Sequence, residues 1–258
     1  MQPPNAGAPE SSSPPYPVVF SEQRERNEAA ALALSRLAPA IAPGDQMRTH
    51  FQPITATIKS LPTNLSRPLY LPQMGVKPEM TEEEIRESLR RFINDWRNLI
   101  GANPSQLSLV ERTDRPDRAK IARYEQRPFR YPLRGDYGKL EIHFTADRRL
   151  LNVSSSCIPD AERLQNALAA ITPQVTREDA VKRVIGESIN YRDSLGNQQI
   201  YRVSSNNLKP VELVTYARAS TGQIDTLELL IAWEINIPNA PFKYVYVDAV
   251  TNEIIAVR

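Results

Sequence analysis

An α+β fold, built as two modules of antiparallel sheet each packed with helices and preceded by a Pro-rich N-terminal arm, is what this sequence predicts. Three features predict it. A capped amphipathic helix begins at Thr81, a block of alternating strands runs from Ile121 to Ser156, and a second helix-then-strand block follows Pro173. Helices and strands arrive in blocks, not in strict alternation, which favours α+β over a parallel α/β sheet. The implied division is an arm with a short helix over 1–46, one module over 47–171 and a second over 172–258.

The first 20 residues hold Pro3, Pro4, Pro9, Pro14, Pro15 and Pro17 among Ser and Ala, too little apolar content to fold alone, and read as a disordered or extended arm. Alanines between Glu22 and Leu37 favour a helix that Pro39 stops. From Met47 to Leu71, Pro53, Pro62 and Pro68 break an apolar pattern into extended segments with turns. Thr81 with Glu84 is spaced as a capping box, and Met80 faces Ile85 as a staple. Ile85, Leu89, Phe92, Ile93, Trp96, Leu99 and Ile100 then keep helical spacing up to Gly101, which suits the left-handed residue past a helix end.

Strands are expected at Ile121–Glu125, Phe129–Leu133, Lys139–Thr145 and Leu150–Ser156. Leu140, Ile142 and Phe144 alternate with Glu141 and His143, so one face is buried and the other wet. A turn over Ala146–Arg149 joins the last two. A helix is expected over Asp160–Ile171, and another behind Thr176 and Asp179, spaced like a cap. Strands at Val211–Arg218, Thr226–Ile237 and Lys243–Ala249 follow, with an extended piece over Glu253–Val257. Ala219-Ser220-Thr221-Gly222 turns the first of these into the second.

Composition excludes several functions. The 258 residues carry 32 Lys and Arg against 30 Asp and Glu, so a net charge of +2 gives no global steering toward nucleic acid or anionic lipid. No apolar run reaches the length of a membrane span. One cysteine rules out an intrachain disulfide, and with two histidines it excludes a zinc site built mainly from Cys and His. Neither His50 nor His143 stands in an HExxH pattern, no serine stands in GxSxG, and no glycine cluster resembles a phosphate loop. Cys157 has no nearby histidine and reads as a semi-buried thiol.

Glu82, Glu83 and Glu84 suit a helix N-terminus, and Asp147 and Asp160 suit turn and capping positions. Asp248, after the run Tyr244–Val247, reads as a side-chain cap on the turn behind it or as a functional carboxylate. The densest charge feature runs from Arg112 to Arg134 with Tyr124, Phe129 and Tyr131 interleaved, the ingredients of a nucleic-acid groove. Arginines alternating with apolar residues are also what a one-sided sheet shows to water, and no nucleic-acid partner is expected. No catalytic residues, metal ligands or cofactor are expected.

Tyr124-Glu125-Gln126, then Tyr131-Pro132-Leu133, then Gly138-Lys139-Leu140-Glu141-Ile142-His143-Phe144, with Val153-Ser154-Ser155 and Ile158-Pro159 behind them, resembles the FTP-type propeptide of fungalysin- and thermolysin-like zinc peptidases. Farther on, Thr176-Arg177-Glu178-Asp179-Ala180 resembles the helix start of a PepSY-type module. Leu230-Ile231-Ala232-Trp233-Glu234-Ile235 is similar to its tryptophan strand, and Tyr246-Val247-Asp248-Ala249-Val250-Thr251-Asn252-Glu253-Ile254-Ile255 to its aspartate turn. The likeness spans roughly residues 48 to 258. Arg130 stands where the family prefers glycine, and Asn252 replaces the turn glycine, a position asparagine tolerates.

That resemblance implies a non-catalytic chain that inhibits a zinc metallopeptidase domain, in cis or in trans, or assists its folding as an intramolecular chaperone within a zymogen. It implies an extracellular or periplasmic location, with a signal peptide already removed, and no cofactor. Trp233, Asp248, Thr251 and Asn252 would be motif residues with structural roles. Ile254, Ile255, Ala256, Val257 and Arg258 form the candidate segment for insertion into a peptidase cleft, the other reading being a closing edge strand. The alternative function is a stand-alone secreted or cell-surface peptide-binding module without a peptidase.

Overall fold

The protein is described by a computed structural model covering residues 15–21, 24–37, 50–62, 67–75, 80–114, 119–192, 195–204, 208–223 and 225–258. It is α+β. The elements are β1 (Val18–Ser21), α1 (Arg24–Leu37), α2 (Glu82–Asp95), α3 (Arg97–Ile100), β2 (Leu107–Asp114), β3 (Ala119–Gln126), β4 (Leu133–Gly135), β5 (Lys139–Thr145), β6 (Leu150–Ser155) and α4 (Ala161–Ala169). Then follow α5 (Arg177–Val184), β7 (Ser188–Arg192), β8 (Gln198–Arg202), β9 (Lys209–Ala219), β10 (Thr226–Asn236), β11 (Tyr244–Asp248) and β12 (Ile254–Val257).

The first sheet is antiparallel in the order β2-β3-β5-β6. Its inward face offers Ala122, Leu140, Ile142, Phe144 and Val153 to Ile85, Leu89, Phe92 and Ile93 of α2 and to Leu34 of α1. Each large side chain buried there contributes about 1.5–3 kcal/mol. Helix α2 starts as its sequence dictates: Thr81 Oγ1 accepts from the Glu84 amide at 3.3 Å, and Glu84 Oε2 accepts from the Thr81 amide at 2.7 Å. The expected single helix breaks at Trp96 into α2 and α3, and Gly101 closes α3 at φ 85°.

The second sheet runs β12-β11-β10-β9-β4, with β1 also on β10. The long strand β10 is shared along one side, pairing with β1 over Thr226–Leu229 and with β11 over Ala232–Asn236. One face, with Leu227, Leu229 and Ile231, meets Leu164 and Leu168 of α4. Val247 and Ile235 meet Ala180 and Val184 of α5, and Phe242 receives Tyr191 and Tyr201 of the β7–β8 ribbon edge-on.

Three expectations are corrected. The arm is not free at its inner end, because Val18 and Phe20 of β1 are buried against β10, while residues 1–14 lie outside the described ones. The strand expected at Phe129–Leu133 is absent. Phe129 and Tyr131 turn into the second core, Pro132 has no ladder donor, and only Leu133–Gly135 pair, in parallel with β9. Asp160 stands at the start of α4 with φ 51°, but its side chain makes no capping hydrogen bond. Strand β2 and the β7–β8 ribbon were not anticipated.

Candidate docking edge

Strand β11 ends in a turn built by Asp248. Its Oδ1 accepts from the amides of Val250 at 2.7 Å and Thr251 at 3.0 Å, its carbonyl accepts from Asn252 at 3.0 Å, and its amide donates to Glu253 O at 2.8 Å. Asn252 takes φ 61°, the left-handed conformation that reverses the chain into β12. Asp248 is only 1% exposed, so its second oxygen also needs a donor. Tyr16 supplies it, donating from its hydroxyl to Oδ2 at 2.8 Å and accepting from the Ile231 amide at 3.1 Å. The phenol thus bridges the gap on β10 between the end of β1 and the end of β11. Burial, reinforced by the Asp248 charge, pushes the Tyr16 pKa well above its ordinary value.

Trp233 lies on the helix-facing side of β10, half-buried between the two apolar clusters under α4 and α5. Its Nε1 donates to Val175 O at 3.0 Å, and the amides of Gln174 and Val175 both donate to Ala249 O, at 2.8 and 2.9 Å. The linker between α4 and α5 is therefore fastened to the strand-to-turn junction that Asp248 organises. Tyr16→Phe would strand the Ile231 amide and one Asp248 oxygen. We expect it to lower unfolding stability by about 1.5 kcal/mol in urea titration, and a loss under about 0.5 kcal/mol would show that the bridge is dispensable.

The other face of this sheet is filled by its own side chains. Arg134 of β4 donates to Glu234 Oε2 and Glu212 Oε1, each at 2.8 Å, and Tyr246 OH donates to Glu234 Oε2 at 2.8 Å. Burial pulls the Arg134 pKa down, but the Glu234 and Glu212 contacts outweigh it and raise it above the usual arginine value. Tyr216 packs against Tyr246 with ring centroids 4.5 Å apart and the planes tilted by 43°. Bulges after Glu234 and Tyr246 curl the strands. As a result Arg258, just past one edge strand, reaches Asp136 at 2.5 Å, just past the other.

Ile254–Val257 form β12, the edge of this sheet, so the cleft-insertion segment is in this structure a paired strand. Ile254 and Val257 pack toward the α5 side, Ile255 and Ala256 toward the tyrosines. Arg258 and Tyr244 exchange both main-chain hydrogen bonds, at 2.9 and 2.8 Å. Val257 lies opposite Val245 in the next, non-bonded position, so its N–H and C=O point to the open side. Among the described residues no strand pairs with that side. Beside it lies a cleft of about 470 Å³ lined by Tyr191, Arg192, Gln198, Phe242 and Val257.

The remaining candidates are engaged elsewhere. Cys157 is fully buried, and burial pushes its thiol up to about 12. His143 contacts Glu141 on the wet face of β5. Within the basic strip, Arg112 pairs with Glu82, Arg123 with Glu111 and Glu141, and Arg134 with Glu212 and Glu234, while Arg115 and Arg118 lie outside the described residues. Among the described residues no group of three or more His, Cys, Asp or Glu is placed to hold a metal ion, and no helix is long and apolar enough to cross a membrane.

No protein-family model matches the sequence, and no curated protein matches it. Among solved structures the chain is similar to the Bacillus megaterium YpeB C-terminal domain, with 10% identity over 93% of this chain and 98% of that one and a TM-score of 0.32. A likeness that faint assigns neither fold nor function.

Proposed function

We propose that this chain is a non-catalytic, propeptide-like module that docks on a thermolysin- or fungalysin-like zinc peptidase, inhibiting it or assisting its folding outside the cytoplasm. In this reading residues 47–171 are the FTP-like part and 172–258 the PepSY-like part. The observation that supports it is the open edge of β12. Peptidase clefts hold substrates as extended strands, and a strand edge pairs with such a cleft through main-chain hydrogen bonds. The tryptophan and aspartate motif residues contribute indirectly, since Trp233, Asp248, Thr251 and Asn252 fix the turn and linker that hold β12 in place.

Titrating the purified chain into a thermolysin-like enzyme tests this. We expect inhibition at low micromolar concentration, reduced about tenfold by Val257→Pro, which removes the outward donor and no ladder bond. No inhibition of the cognate enzyme at high micromolar concentration, together with no gain in its refolding yield, refutes the reading. A second reading, a secreted or cell-surface peptide-binding module without a peptidase, draws on the 470 Å³ cleft beside the same edge, which would take one side chain of a bound strand. Binding of extended peptides without inhibition would favour it.

A further inference from the structure

The sequence of α1 brings a cation to an unusual place. Arg26 is largely buried, and its Nε donates to Thr55 O at 2.9 Å, which fixes the guanidinium. Among the described residues its buried Nη2 has no hydrogen-bond partner. Burial lowers the Arg26 pKa to about 10, with Asp160 and Cys157 opposing that shift. A guanidinium held this way is costly unless something satisfies it.

Arg26 lines a cleft of about 540 Å³ between α1, α3 and the start of α4, together with Arg97, Asn98 and Arg163. Gly101 forms part of the same wall at φ 85°; a Cβ there would meet the Thr57 methyl at 2.5 Å and Arg26 Nη2 at 3.3 Å, so the backbone packs closely on the guanidinium at this point. Among the described residues, Arg97 and Arg163 form no ion pair. Two carboxylates, Asp160 and Glu162, line the same cleft, so its three arginines exceed its acids by one charge; Asp160 acts on Arg26, and Glu162 accepts from Gln106 Nε2 at 3.0 Å.

We propose that this cleft binds an oxyanion, a phosphate or carboxylate group held by Arg26, Arg97 and Arg163. Guanidinium groups lining one cleft match such anions by paired, charge-assisted hydrogen bonds. The site lies between α1 and α3, which cover the first sheet, and the start of α4, which covers the second; no residue of β12 lines it, and it does not depend on the peptidase reading.

Calorimetry and thermal melts of the full chain test it, with inorganic phosphate and succinate as probes against chloride at matched ionic strength. Saturable binding is expected, with a melting-temperature rise of about 2–4 °C at tenfold excess over Kd. The exposed-residue variant Arg97→Ala/Arg163→Ala should keep the circular dichroism spectrum and weaken binding at least about tenfold. Phosphate alone binding assigns a phosphate site, and succinate binding equally assigns a general carboxylate or phosphate site. Binding by neither probe, or equal binding by the double variant, overturns the proposal. Inhibition of the peptidase, measured separately on that variant, should be unchanged, so the two readings fail independently.

Discussion

Arg134→Met is expected to lower unfolding stability by about 3 kcal/mol. The Glu234 side chain is only 3% exposed, and removing its cation leaves a buried carboxylate with Tyr246 OH as its remaining donor. Losing one partner of a buried pair costs about 3–5 kcal/mol, and the partial exposure of Arg134 places this case at the lower end. The companion variant Arg134→Met/Glu234→Leu should recover most of the loss, because it removes the stranded charge as well. Urea titrations of the two variants check this. A single variant losing less than about 1 kcal/mol would mean that the Tyr246 hydroxyl alone satisfies Glu234.

The second large effect belongs to Trp233. Truncation to alanine should cost about 3 kcal/mol, since the ring spans two apolar clusters but stays partly exposed. Trp233→Phe keeps most of the apolar area and loses the bond to Val175 O, for about 1 kcal/mol. The ratio of the two losses separates packing from linker attachment. A Trp233→Ala loss below about 1 kcal/mol would mean that the ring does not hold the α4–α5 linker.

Much of this fold was legible because the deciding interactions are local. Thr81 and Glu84 are three residues apart and cap α2 with each other, and the alternation of Leu140, Ile142 and Phe144 places β5 without reference to any other strand. The illegible parts depend on distant partners. Strand β4 exists because Leu133–Gly135 lie beside Thr215–Ala217, a parallel match that no local pattern announces. Strand β1 exists because β10 is longer than β11 and leaves room for it.

The same distinction applies to the site. The aspartate turn could be read from Asp248, Thr251 and Asn252, since its bonds span two to five residues. Tyr16 could not, because its partners are more than 200 positions away and it sits among prolines that suggest an unstructured arm. The Arg134–Glu234 pair was hidden within a basic strip whose charges suggested a shared surface. In the folded chain those arginines are dispersed over separate carboxylates.

The excursion between β3 and β5 has a consequence for dissecting the molecule. It leaves one sheet at Gln126, lends β4 to the other and returns at Gly138, where the Gln126 amide and Gly138 carbonyl close it at 2.8 Å. A recombinant fragment starting near Pro173 would therefore lack β4, β1 and the α4 cover, baring Leu227, Leu229 and Ile231 to water. The halves are interlaced by a borrowed strand, so a cut between them makes two sticky, incomplete pieces.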